Sequence, residues 1–174
     1  LVGYANAGKS SLLRALTGDE VFVDEKPFAT IDPLARRRYL GDGITVLVTD
    51  TVGFVSNLPA QLTAAFRSTL EEVNDADVVV HVVDASAPSH LVRDRAKIVQ
   101  RELDAIGVTS KVPKLTFFNK IDLLPSVNTP KLKGLVAGSA RSGIGLDTFK
   151  DELRRILAPS TSSNDTSPHP PPPP

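Results

Sequence analysis

Cysteine is absent from the 174 residues, which removes disulfides, thiolate catalysis and cysteine-based metal sites together and suits a reducing compartment. Net charge is absent too: Lys plus Arg and Asp plus Glu number 20 each, so no overall field draws the chain to nucleic acid or anionic membrane. Any such partner has to use a local patch or another domain. No apolar run approaches the roughly 20 residues that a bilayer span requires, so a soluble chain without a membrane span is expected. Methionine is missing as well, and Leu1 stands just ahead of Val2 and Gly3. The chain therefore reads as a fragment cut inside its first strand, with no signal or transit peptide to be read. The expected location is cytoplasmic, an organelle stroma or matrix being the alternative, and the expected state is a monomer.

What is present has room for one domain with a proper core. Three short apolar runs, Ile44 to Val48, Val78 to Val83 and Leu115 to Phe118, are β-branched or aromatic and read as buried parallel strands. Between and after them lie stripes of helical period: Leu58, Leu62, Phe66, Leu70 and Val73; Val92, Ala96, Val99, Leu103 and Ile106; Leu146, Phe149, Leu153 and Ile156. Alternating strands and helices predict an α/β fold, a mostly parallel, doubly wound sheet with helices on both faces. Ligands of such sheets bind outside the carboxyl ends of the strands. Residues 1–157 form the expected domain. From Ala158 the composition turns to Ser, Thr, Asn and Asp and then to proline, so 158–174 is expected to be a disordered tail. A proline run can also serve as a polyproline II ligand.

Gly3-Tyr4-Ala5-Asn6-Ala7-Gly8-Lys9-Ser10 fits the phosphate-binding pattern G-x-x-x-x-G-K-[ST], between a strand stub and a helix expected to start near Ser11. Its glycines let the backbone wrap the phosphates, whose charge meets amide N–H groups and the helix N-terminus. Lys9 reaches the β- and γ-oxygens, and Ser10 ligates Mg²⁺. This motif is silent on the base. Asn119-Lys120-Ile121-Asp122 follows the Leu115 to Phe118 strand and answers that: the Asp122 carboxylate accepts from N1–H and N2–H₂ of guanine and finds no match in adenine. Asn119 is expected to hold the loop and touch the base edge, and the Lys120 stem to cover the base. Asp50-Thr51-Val52-Gly53 ends the Ile44 to Val48 strand in a D-x-x-G pattern, with Asp50 reaching Mg²⁺ through water and the Gly53 N–H meeting the γ-phosphate. Thr30, within Phe28-Ala29-Thr30-Ile31-Asp32, is placed to complete the Mg²⁺ shell as a switch residue. Ser139-Ala140-Arg141, after the Leu135 to Ala137 strand, is expected to touch guanine through backbone N–H groups.

With these segments in order, the chain resembles the TRAFAC GTPases and, within them, the HflX-type ribosome-associated GTPases. The likeness rests on residues 3 to 10, Phe28 to Pro33, Asp50 to Phe54, Leu58-Pro59, Ala65 to Glu72 and His81 to Ser86, and covers residues 1 to about 157. It implies a P-loop three-layer sandwich that binds GTP and GDP and hydrolyses GTP, with the large ribosomal subunit, and ribosomal RNA, as partners. Phe54 stands where Ras-like enzymes keep a water-orienting glutamine, which implies slow unstimulated hydrolysis. In GTPases similar in the phosphate loop, an asparagine at the place of Asn6 helps bind K⁺, which supplies positive charge. The alternative for Asn6 is a loop-bracing amide. Catalytic assistance is thus expected from Lys9, Thr30, Gly53 and Asn6. Departures from the family are Ala5 in place of a usual Thr, and Leu34-Ala35 in place of a hydroxyl-rich pair.

Several features have plainer readings. Arg36-Arg37-Arg38 is either the solvated face of an edge strand or a contact to RNA phosphate. His81 reads as a hydrogen-bonded core histidine, and Glu71 and Glu72 as a solvated helix face. Two other functions compete with the HflX-type one: an Obg- or Era-like ribosome-assembly GTPase, and a GTP-dependent binding module with little hydrolysis.

Overall fold

A computed structural model describes residues 1–18, 34–51, 53–54, 73–105, 107–108, 112–125 and 135–158. The expectations for Phe28 to Asp32, Val52, residues 55–72 and the tail after Ala158 lie outside them. In chain order the elements are β1 (Val2–Gly3), α1 (Lys9–Thr17), β2 (Leu34–Gly41), β3 (Ile44–Asp50), β4 (Val79–Asp84), α2 (Ser89–Ala105), β5 (Lys114–Asn119), a 3₁₀ turn (Ile121–Leu123), β6 (Leu135–Ala137) and α3 (Leu146–Leu157).

β1, β4, β5 and β6 form a parallel sheet in that order. β4 is apolar on both faces because helices cover both. Val80 and Val82 join Leu12 and Leu16 of α1 and Phe149 and Leu153 of α3 in one core cluster, whereas Val79 joins Val2, Phe54 and Val99 and Leu103 of α2 in a second. The three-layer α/β architecture expected from the alternation is therefore present. Phe117 of β5 meets Phe149 of α3 edge to face, with ring centroids 5.0 Å apart.

The Ile44 to Val48 run departs from expectation. β3 is not a buried parallel strand: it pairs antiparallel with β2, Arg37 opposite Leu47 and Tyr39 opposite Thr45. Thr45 and Leu47 are exposed and Ile44 and Val46 half-buried, the alternation of a hairpin with one dry face. The cause is the Gly41-Asp42-Gly43 turn, whose three residues all have left-handed φ and fold β2 back along β3. Arg36, Arg37 and Arg38 lie exposed on β2, as an edge-strand reading expects. The far end of β3 runs beside β1: Thr51 donates from N (3.3 Å) and Oγ1 (2.8 Å) to the carbonyl of Leu1. Tyr4 and Phe54 then form a parallel bridge. Asp50, Thr51 and Gly53 are thereby carried to the phosphate loop.

Candidate functional site

The site lies where the carboxyl ends of β1, β3, β4, β5 and β6 converge. The phosphate loop leaves β1 at Gly3 and enters α1 at Lys9, two residues earlier than expected, because Gly8 takes a left-handed φ of 92° and turns the chain directly into the helix. A Cβ on Gly8 would fall on the side-chain amide of Asn119, so only glycine lets the loop sit this close to β5. Ala5 donates to the Phe54 carbonyl (2.7 Å) and Phe54 to the Gly3 carbonyl (3.0 Å), which locks the loop against the segment after Gly53. A Cβ on Gly53 would come within 2.9 Å of Lys9 Nζ, so Gly53 borders the Lys9 ammonium.

Lys9 is buried, and that burial lowers its pKa; the Asp50 carboxylate partly opposes the shift. Ser10 Oγ donates to Asp50 Oδ2 at 2.5 Å, joining two hard oxygen donors beside that ammonium. Such a donor set fits Mg²⁺, which takes one or two protein oxygens and fills its octahedron with water and phosphate.

Asn119 ties the base side to the phosphate side. Its Nδ2 donates to the carbonyl of Ala7 and its Oδ1 accepts from the Ala140 N–H, each at 2.9 Å, in a wholly buried setting. Ser139 is buried as well, its N–H donating to the Ile144 carbonyl at 2.8 Å. The expectation that the Ser139 and Ala140 amides face a base is thus altered: in this structure both are taken up by internal acceptors, and the loop is braced instead. Asp122 is exposed on the 3₁₀ turn that follows the buried Asn119.

Asn6 is exposed, with a left-handed φ of 62°. Phe54 is fully buried among Val2, Val73, Val79 and Val99. It therefore points into the core and not toward a phosphate. His81 is half-buried, and burial, with the Lys114 charge adding to it, lowers its pKa to about 4, so the ring is neutral. No hydrogen bond to its ring occurs among the described residues, unlike the bonded core histidine expected.

One site residue escaped sequence reasoning. Asp84, at the end of β4, receives Lys120 Nζ at 2.7 Å on Oδ2 and the Ser86 N–H and Oγ at 2.9 and 2.6 Å on Oδ1. Burial alone would raise its pKa, but these hydrogen bonds and the Lys120 charge outweigh it and hold the carboxyl below the usual range. The available signal was a carboxylate closing an apolar strand, with serine two residues on.

A phosphate loop at the carboxyl edge of a parallel sheet, a serine–aspartate pair beside a buried lysine and an N-K-x-D loop tied to that phosphate loop through Asn119 together define a P-loop GTPase domain. The solved structure of a GTP-binding protein from Sulfolobus solfataricus in complex with GDP superposes with a TM-score of 0.68 at 26% identity, over 89% of this chain and 50% of that one. Era of Aquifex aeolicus shares the fold, with a TM-score of 0.69 at 23% identity over 90% of this chain and 55% of that one. The chain belongs to the 50S ribosome-binding GTPase family, whose model matches residues 1–120. Its relatives are HflX GTPases: that of Caldanaerobacter subterraneus subsp. tengcongensis is 44% identical over 161 residues, 92% of this chain and 37% of that protein. A chloroplastic GTP-binding protein of Arabidopsis thaliana is 46% identical over 124 residues, 70% of this chain and 20% of that protein. The chain thus spans little more than a third of the length of the HflX protein it matches.

Proposed function

We propose that this chain is the nucleotide-handling part of an HflX-type GTPase: it binds GTP and GDP with Mg²⁺ and hydrolyses GTP while engaged with the large ribosomal subunit. The observation that carries this reading is the Asn119 side chain, which joins the phosphate loop at Ala7 to the base loop at Ala140, so that phosphate and guanine are read by one rigid unit. Lys9 and the Gly53 amide hold the γ-phosphate, Ser10 and Asp50 hold Mg²⁺ with Thr30 completing the shell, and Asp122 selects guanine. Mg²⁺ held there would supply positive charge against the phosphate groups.

The buried Phe54 supplies nothing to the attacking water, so turnover is slow until charge or order comes from outside. Asn6, exposed at the loop crest, is the side chain available to hold K⁺ there. Ribosomal RNA is the partner proposed for the exposed Arg36, Arg37 and Arg38, which give this chain of zero net charge a local basic stripe. The buried Phe54 also favours a second reading, a GTP-dependent binding module with little hydrolysis.

Single-turnover hydrolysis of GTP, measured with Na⁺ or K⁺ and with or without large ribosomal subunits, separates the two. The GTPase reading expects slow turnover alone and a rise of tenfold or more with subunits. Inertness in every combination leaves the binding module.

A further inference from the structure

Asp84 has no role in the reading above, yet its carboxylate is saturated by three hydrogen bonds at the edge of the site. In register it stands directly across from Asn119, β4 against β5, and the Ala85 N–H donates to the Asn119 carbonyl at 2.9 Å. Lys120 leaves β5 in a left-handed conformation, φ 67°, which throws its side chain back across the phosphate loop. Its Cε lies 4.0 Å from the place a Cβ on Gly8 would occupy, and its Nζ ends on Asp84, with side-chain exposures of 30% and 16%. The lysine is thus stretched from the base loop over Gly8 to β4. A lysine side chain left to itself gives up rotamer freedom when a ligand orders it. Here the ion pair has already ordered it. Ser86, bonded to the other oxygen, keeps the carboxylate from swinging away.

We propose that Asp84 is a positioning residue for the guanine nucleotide: it holds the Lys120 stem in place as the preformed cover of the base, and Ser86 holds Asp84. This rests on the guanine-site reading given above. Asp84 touches Lys120 and not the nucleotide, so its effect has to pass through Lys120.

That dependence makes a double-mutant cycle the test, with GDP affinity of the full chain measured by fluorescent-nucleotide displacement for wild type, Asp84→Asn, Lys120→Met and the double variant. Asn keeps the size of Asp84 and an acceptor for Ser86, so the fold survives; circular dichroism melts check this, and Ser86→Ala provides an independent, milder perturbation of the same carboxylate. The expected result is a loss of about three- to tenfold in GDP affinity for Asp84→Asn, a smaller loss for Ser86→Ala, and no further loss when Asp84→Asn is added to Lys120→Met. An Asp84→Asn affinity within twofold of wild type overturns the proposal, as does an effect that adds in full to that of Lys120→Met. If wild type itself fails to bind GDP, the guanine-site reading falls and this proposal with it, an outcome distinct from the other two.

Discussion

Asn119 shows how much one side chain decides here. Truncating it to alanine leaves the Ala7 carbonyl and the Ala140 N–H without a partner in a buried setting, each worth about 1 to 3 kcal/mol. Asn119→Ala is therefore expected to lower stability by about 2 to 4 kcal/mol in chemical denaturation and to weaken GDP binding. Asp122 is exposed and has no structural duty of that kind, so Asp122→Asn should leave the melt unchanged while shifting preference from guanine to xanthine nucleotides. A competition assay that still prefers GTP would remove the base-recognition argument. Phe54 is the reverse case. Reinstating glutamine there looks like a repair from sequence, but the side chain sits in the core beside Val2 and Val99, where an amide has no partner. Phe54→Gln should cost about 2 to 5 kcal/mol of stability and gain no hydrolysis, as denaturation and single-turnover assays would show.

At the scale of elements, the parallel strands and the helices flanking them were legible because period and composition agree with their burial. Val79 to Asp84 is apolar on both faces because α1 and α3 cover one and α2 the other, and Val99 with Leu103 and Phe149 with Leu153 are buried where the helical stripes place them. β3 was misassigned: a run of β-branched residues looks alike whether helices cover two faces or one, and the distinguishing signal was the Gly41-Asp42-Gly43 turn, not the run. His81 makes β4 sensitive to pH. Its folded pKa of about 4 is below the ordinary 6.5, so between those values the unfolded chain takes up a proton that the folded chain refuses. Stability is full above pH 6.5 and falls as pH drops toward 4, by up to about 1.4 kcal/mol per pH unit. Denaturant melts of wild type and His81→Val from pH 7.5 to 4.5 should show that slope in wild type and a shallower one in the variant.

Over the whole molecule, the phosphate loop, β3's end and the loops after β5 and β6 come from distant parts of the chain and meet only when the sheet is complete, so nucleotide binding and folding are linked. GDP with Mg²⁺ at 100 times its dissociation constant should raise stability by about 2.7 kcal/mol, ATP should not, and chelation of Mg²⁺ should reduce the gain; thermal melts across nucleotide concentrations measure this. The motifs themselves were determined by sequence alone. A glycine-rich loop before a lysine and a serine, a D-x-x-G after one strand and N-K-x-D after another carry their chemistry in residue type and spacing, which tertiary packing cannot alter. Packing decided what those motifs do to each other: that the Asn119 amide is the brace between loops, that Phe54 faces the core, that the Ser139 and Ala140 amides turn inward and that Lys120 reaches back to Asp84. Each is a contact between segments far apart in the chain, set by strand register and by which face of the sheet a helix covers, and neither quantity is written in the residues of any one segment.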